Sequence, residues 1–334
     1  MAYSEFELIE RFFNRGLVRR ADVVLGIGDD GAILTVPAGH ELVVTIDTLV
    51  AGVHFPLTTA PRDVGYKALA VNLSDLAAMG ATPAWFTLAI ALPENDADWL
   101  AEFCEGMFSL AREHNVQLVG GDTTRGPLTI TIQAHGFVPA GNALRRSGAQ
   151  AGDAIYVTGT LGDAGVGLLS AEGRVDLSHS AVEFFTDRLN RPSPRVLIGP
   201  QLRGVASACI DISDGLCADL GHILECSGVG ACIELGKLPL SAALKNCRDH
   251  SLPRNLFGDS SPPWAARYDY VLAAGDDYEL CFTLPLVHEQ RLSQFANLPC
   301  SLTRIGQIEL EKGLRVRDVS GNRHSVPMRG YQHF

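Results

Sequence analysis

From Asp63 to Met79 the chain is so rich in Ala, Leu and Val that no polar stripe is left to face water. That pattern predicts a helix buried on nearly every side, opened by Pro61 at its first position. It ends in Val71-Asn72-Leu73-Ser74-Asp75-Leu76-Ala77-Ala78-Met79-Gly80, where Asn72 and Asp75 stand three apart and share a face. A carboxylate in such a helix needs a cation, a metal or a proton. Asp75 could also bond a neighbouring loop amide or an arginine, and the helix alone does not decide between these.

Elsewhere the periods change. Ser4 and Glu7 form a capping box for a short amphipathic helix to about Asn14. Residues 32–36, 42–47 and 85–92 read as strands, and Asp96 caps a helix to about His114. A short strand at 117–119 runs into Gly120-Gly121-Asp122, and 128–138 alternates as another strand. The polar, glycine-rich stretch 141–152 predicts a boundary between an N-terminal domain (1–140) and a C-terminal domain (150–334). Beyond it we expect strands at 153–158 and 208–212 and a helix starting at 161–165. A proline-rich connector at 191–195 leads into a helix to about Arg203, and another helix follows Asp214-Gly215 to about Cys226. Residues 251–264 read as a surface loop, and 278–284 as a strand.

Bulk properties narrow the function. A net charge of −11 argues against a nucleic-acid or anionic-membrane surface. The N-terminus lacks a basic leader, and the most apolar window, 76–92, is broken by Pro83. Eight cysteines without a C-x-x-C pair read as reduced thiols, which suits the cytoplasm.

The glycine loop Gly26-Ile27-Gly28-Asp29-Asp30-Gly31 has the letters of a dinucleotide fingerprint but not its context. A strand follows where a helix should begin, and two acids would face the phosphates. No Walker loop, zinc-binding His-Glu-x-x-His or Gly-x-Ser-x-Gly occurs. What recurs is an acid in a glycine loop or at a strand end: Asp29, Asp30, Asp47, Asp122, Asp211, Asp214, Asp276 and Asp277, with Asp75 as the helical member. Any one of them alone is more simply a turn residue. Gathered together, they would repel by about 4 kcal/mol per pair at roughly 4 Å and an effective dielectric of about 20. Carboxylates and hydroxyls without His or Cys select Mg²⁺, Mn²⁺ or Ca²⁺, and carboxylate-held Mg²⁺ commonly shares its shell with substrate phosphates. Arg125 and Arg146 supply positive charge for a phosphate. The residues alone thus point to a Mg²⁺-dependent enzyme of nucleotide phosphates that has no P-loop.

The ordered motifs GIGDDGA (26–32), TIDTLVAGVHF (45–55), YKALAVNLSDLAAMGATP (66–83), GGDTTRGPL (120–128), DISDGL (211–216) and GDDYELCF (275–282) resemble the thiamine-monophosphate kinase family. The resemblance implies the aminoimidazole ribonucleotide synthetase-like fold: an α+β N-terminal domain forming a dimeric, barrel-like sheet core and an α/β C-terminal domain. It implies ATP-dependent phosphorylation of thiamine monophosphate to thiamine diphosphate by a homodimer. By position, Asp30, Thr45, Ile46, Asp47, Asp75, Asp122, Asp211 and Asp214 would hold several Mg²⁺ ions, Ile46 through its main-chain carbonyl. Gly121, Asp122, Arg146 and Ser213 would contact ATP, and His54, Asp276 and Tyr331 the thiamine substrate. Asp276 stands where the family usually has Glu, one methylene longer. The acceptor is already an ionised phosphate, so no catalytic base is implied.

Two other readings remain. A selenophosphate synthetase would carry a reactive Cys in an N-terminal glycine loop, and a hydrogenase-maturation enzyme would end in Cys; here the first cysteine is Cys104 and the last residue is Phe334. A non-enzymatic divalent-ion binder would leave Arg146, His54 and the aromatic tail unexplained.

Overall fold

The long apolar run is a helix from Pro61 to Ala78, and a sheet lies beside it. In this computed structural model residues 4–14, 18–247, 252–253, 264, 266–295 and 298–333 are described. The chain divides into two units: residues 1–76 with 81–143, and residues 77–80 with 144–334.

In the first unit, α1 (Glu5–Leu8) runs into a π-helical turn, Ile9–Phe13. The Ser4 amide donates to Glu7 at 2.8 Å and the Glu7 amide to Ser4 Oγ at 3.4 Å, which is the expected reciprocal cap. A small hairpin, β1 (Val23–Leu25) and β2 (Ile33–Leu34), precedes β3 (His40–Val50). Next come α2 (Pro61–Ala78), β4 (Thr82–Leu92), α3 (Ala97–Glu113), β5 (Gln117–Arg125) and β6 (Thr129–Pro139). The main sheet has the order β3-β6-β4-β5; β4 and β5 are parallel and joined through α3, and the other pairs are antiparallel. Asp96 caps α3 by accepting from the amides of Asp98 and Trp99, both at 3.0 Å. The two helices touch backbone to backbone: a Cβ on Gly65 would stand 2.0 Å from the Phe103 carbonyl oxygen, and one on Gly106 would stand 1.8 Å from that of Arg62.

The strand β3 alternates. Val43, Thr45, Asp47 and Leu49 are partly or fully buried, while Leu42, Val44 and Ile46 remain 42%, 47% and 60% exposed. One face of this edge strand therefore presents an apolar row to the outside.

The second unit is built on a seven-stranded sheet, in which β7 (Ala154–Thr158), β8 (Ala208–Asp211), β9 (Gly230–Glu234), β10 (Leu280–Leu284), β11 (Leu302–Glu309), β12 (Gly313–Arg317) and β13 (Arg323–Val326) lie in the order β13-β12-β9-β11-β7-β10-β8. Only β9 and β12 pair in parallel. The helices are α4 (Asp163–Ala171), α5 (His179–Asn190), α6 (Gly199–Leu202), α7 (Leu216–Ser227), α8 (Ala242–Asn246), α9 (Ala266–Ala273) and α10 (Glu289–Leu292). Ile155, Val157, Phe185, Ile210 and Leu220 belong to its main core.

Several boundaries differ from the sequence expectation. The strand expected to stop at Val119 continues through the glycines to Arg125, because β5 is an edge strand bonded along its length to β4. Residues 32–36 keep only Ile33–Leu34 as strand. The helix expected up to Arg203 shrinks to Gly199–Leu202. The strand expected from Tyr278 begins at Leu280, since Asp276 and Tyr278 adopt positive φ (67° and 49°) that a strand cannot contain. Most of the expected loop 251–264 lies outside the described residues.

Candidate active site

In the first unit, α2 and β3 bring two acids together. Thr45 and Asp47 project from the covered side of β3, and the Thr45 hydroxyl donates a short hydrogen bond to Asp75 Oδ2. Asp75 is half-buried, not fully buried as the apolar helix suggested, since it sits where that helix meets the sheet. Burial first, then the charge of Asp75 and a hydrogen bond to it, push the Asp47 carboxyl up to about 7. Every contribution to that shift disfavours the ionised form of Asp47. Asn72 is buried and donates to the Ala68 carbonyl at 3.1 Å, and its side-chain oxygen has no hydrogen-bond partner among the described residues.

The remaining first-unit candidates are more open. Asp30 is exposed in the loop between the hairpin strands, where its amide donates to Asp29 Oδ1 at 2.8 Å. A strand follows this loop, as the rejection of a dinucleotide fingerprint required. Gly121 and Asp122 lie exposed on β5, where a Cβ at 121 would come within 1.9 Å of the Leu88 carbonyl oxygen. Ile46 projects from the exposed face of β3. His54 occupies the tight turn after β3, its Nδ1 accepting from the Val50 amide at 2.9 Å. That bond places the ring proton on Nε2.

In the second unit the strand end of β8 and the loop after it carry Asp211, Ser213 and Asp214. Asp211 is buried, and Ser213 and Asp214 are half-buried. Burial raises the Asp214 carboxyl and Asp276 adds to this, while His222, His333 and Arg146 oppose it. Arg146 is exposed, in a loop whose shape is set by Ser227: the amides of Gly148 and Ala149 donate to its hydroxyl at 3.1 and 3.2 Å. The Asp276 amide donates to the Ser213 carbonyl at 2.9 Å, and the Tyr331 amide to the Asp214 carbonyl at 3.0 Å. Five of the candidates, Arg146, Ser213, Asp214, Asp276 and Tyr331, thus come together around one loop.

Sequence reasoning overlooked three residues here. Asp219 accepts from the Asp214 and Gly215 amides at 3.0 Å each and so shapes the loop; burial, then Asp214, push its carboxyl up to about 7. Its place in the first turn of α7 was the available signal. His222 and Glu225 line a cavity of about 200 Å³ with Asp214, Met328 and Tyr331. No motif marks them, because a helix face is recognised only once its partner, here the C-terminal tail, is known. Among the described residues no three His, Cys, Asp or Glu side chains form a ready metal cage.

The chain matches two family models, "AIR synthase related protein, N-terminal domain" over residues 28–138 and "AIR synthase related protein, C-terminal domain" over residues 150–319. It is 47% identical to the thiamine-monophosphate kinase of Salmonella typhimurium, covering all of this chain and 99% of that one. The chain belongs to the thiamine-monophosphate kinase family. A Bacillus subtilis member is 34% identical over 99% of both chains. Among solved structures, the family member from Stenotrophomonas maltophilia superposes with a TM-score of 0.82 at 48% identity, covering 95% of this chain and 97% of that one. The structure of AaThiL complexed with AMPPCP and TMP has a TM-score of 0.75 at 29% identity, covering 99% and 97%. Hydrogenase maturation protein HypE in complex with ATP shares the fold at 20% identity (TM-score 0.77, covering 98% and 96%).

Proposed function

We infer that this protein transfers the γ-phosphoryl group of ATP to the phosphate of thiamine monophosphate, giving thiamine diphosphate and ADP. The observation that carries this reading is the 47% identity, end to end, with a protein named for the reaction. A relative of the same fold holds AMPPCP, an ATP analogue, together with TMP, which is the pair of substrates the reaction needs. No described helix is long and apolar enough to cross a membrane, and all eight cysteines are free, six of them buried. The reduced, mostly buried thiols support the cytoplasmic location we propose.

The reaction sets two anions against each other, so its difficulty is positioning and charge rather than proton removal. Thr45, Asp47 and Asp75 fit a divalent cation: hard oxygen donors only, with the Asp47 carboxyl pushed up to about 7 by burial and by Asp75, an effect a bound cation would oppose. Asp30, the Ile46 carbonyl, Asp122, Asp211 and Asp214 are the further ligands we propose, for several Mg²⁺ ions in all. When bound, Mg²⁺ neutralises phosphate charge and templates the in-line geometry. Gly121 and Asp122 would meet ATP from β5, where the absent side chain at 121 opens the backbone. Ser213 would donate its hydroxyl to ATP, and Arg146 would pair with a phosphate. His54 would offer Nε2–H to the thiamine substrate, Asp276 would accept from it or meet its positive ring, and Tyr331 would cover it with its half-exposed ring.

A homodimer is part of this proposal. The apolar row Leu42, Val44 and Ile46 on β3 is the surface that supports it, and a monomer mass in light scattering would count against it. The deciding test for the activity is product analysis with ATP and Mg²⁺, offering thiamine monophosphate and thiamine in separate reactions. Thiamine diphosphate from the first is the expected result, and its absence would refute the assignment. Trapping a phosphorylated enzyme would replace direct transfer by a two-step route.

A further inference from the structure

The second unit contains an ionic cluster to which none of the roles above is assigned. Asp163, Asp277 and Glu279 are buried, and Arg188 and Arg195 sit among them. Glu279 is its centre. Arg195 holds both carboxylate oxygens, Nε donating to Oε2 at 2.5 Å and Nη2 making a still shorter bond to Oε1. Thr158 Oγ1 donates to Oε2 at 2.6 Å and Arg188 Nη2 to Oε1 at 3.2 Å. Asp163 accepts from Thr160 and Ser241, both at 2.6 Å, and Asp277 from the Gly162 amide at 2.7 Å.

A buried ion cluster gains little stability over apolar packing of the same volume. What it adds is direction, because a bidentate guanidinium fixes the carboxylate plane. The direction matters here because of what adjoins it. Immediately before Glu279 the chain makes a turn in which Asp276 and Tyr278 both have positive φ, two of the three such non-glycine residues among those described. Such conformations persist only where the surroundings over-determine them. The surroundings are explicit: the Asp276 amide donates to the Ser213 carbonyl at 2.9 Å, the Tyr278 amide to the Ile212 carbonyl at 2.8 Å, and the Ile212 amide to the Glu279 carbonyl at 2.8 Å. Thr158, which donates to Glu279, accepts from the next amide, Leu280, at 2.8 Å. A Cβ on Gly275 would be 2.3 Å from the Ser213 carbonyl oxygen, so the turn and the 212–214 loop are pressed together.

We propose that Glu279, clamped by Arg195 and Arg188, is a positioning residue that locks the 275–278 turn onto residues 212–214 and so sets where Asp276 meets thiamine monophosphate. This rests on the reading of Asp276 as a substrate contact. Asp276 belongs to the clamped turn itself, whereas the loop carrying Ser213 is also held by Asp219, which accepts from the Asp214 and Gly215 amides, so loss of the clamp acts on the thiamine substrate more than on ATP.

The test measures KM for each substrate and the melting temperature in the intact chain for Glu279→Gln, Arg195→Lys and Asp276→Asn, with the distant core variant Val316→Ala as a control. Both clamp variants should raise KM for thiamine monophosphate by about tenfold or more while KM for ATP moves less than about twofold. Val316→Ala should lower the melting temperature alone. Clamp variants that melt lower but keep both KM values would overturn the proposal, as would equal rises in the two. If Glu279→Gln does not fold, Arg195→Lys decides by the same criterion. An unchanged KM in Asp276→Asn would remove the substrate contact on which the clamp is argued, whereas failure of the wild-type product assay would remove the proposed function itself.

Discussion

Each unit withdraws a group of acids from water, partly in the first and fully in the second, and the two groups are completed differently. In the second unit Asp163, Asp277 and Glu279 are accompanied by Arg188 and Arg195, with hydroxyls and an amide filling further positions. In the first, burial, the charge of Asp75 and a hydrogen bond to it all push the Asp47 carboxyl upward. Burial alone therefore does not separate a structural acid from a functional one. The difference is that guanidinium groups bind the second group, whereas every cause acting on Asp47 raises its carboxyl; the second group is a finished piece of architecture, and the first is the site that we propose a cation completes.

The largest effect that tests this contrast is expected for Asp75→Asn. The amide keeps the shape and can still accept from Thr45, so the fold should persist. Loss of the proposed carboxylate ligand should lower kcat/KM for thiamine diphosphate formation by about 100-fold or more. The metal-free variant should melt no lower than wild type, because the repulsion with Asp47 is gone, and Mg²⁺ should raise the melting temperature of wild type more than that of the variant. Steady-state kinetics with melts in chelator and in Mg²⁺ check all three. Normal turnover would place Asp75 among the structural acids.

The opposite signature is expected where the counter-charge is built in. Glu279→Ala leaves Arg195 and Arg188 facing each other in a buried site, which should cost about 3–5 kcal/mol of stability. Denaturant titration with a probe in the second unit measures it. A loss below about 1 kcal/mol, as for an exposed ion pair, would show that the cluster is solvated, and the contrast between the units would fail.

Legibility from sequence divides along the same line. The helix 61–78 and its apolar character, the Asp96 cap and the alternation of β6 are local signals, readable because period and capping act over a few residues. The family motifs carried the fold and the activity. The Glu279 clamp was not readable: Arg195 is 84 residues from its partner, and Glu279 lay within a recognised motif without a role of its own. Strand limits failed where bonding is set by a neighbour, as in β5, or where positive φ intervenes, as at Asp276 and Tyr278.

The smallest effect concerns Asp277, the acid of the second cluster that the arginines complete least. Burial pushes its carboxyl well above the usual range; the Gly162 amide and Arg188 oppose this only in part, and its Oδ1 has no hydrogen-bond partner among the described residues. A carboxyl whose folded value is raised contributes stability that is fully present below its unfolded value and is lost as pH rises through the folded one. Wild type should therefore lose stability with increasing pH above the ordinary carboxylate range, by at most about 1.4 kcal/mol per pH unit until the folded value is passed, where this contribution levels off. Asp277→Asn keeps an acceptor for the Gly162 amide and cannot ionise. It should match wild type closely in mild acid and melt progressively higher than wild type as pH rises, in a pH series of thermal melts. Parallel curves for the two proteins would mean that the arginines neutralise Asp277 as fully as they do Glu279, and that the second cluster contains no unfinished member.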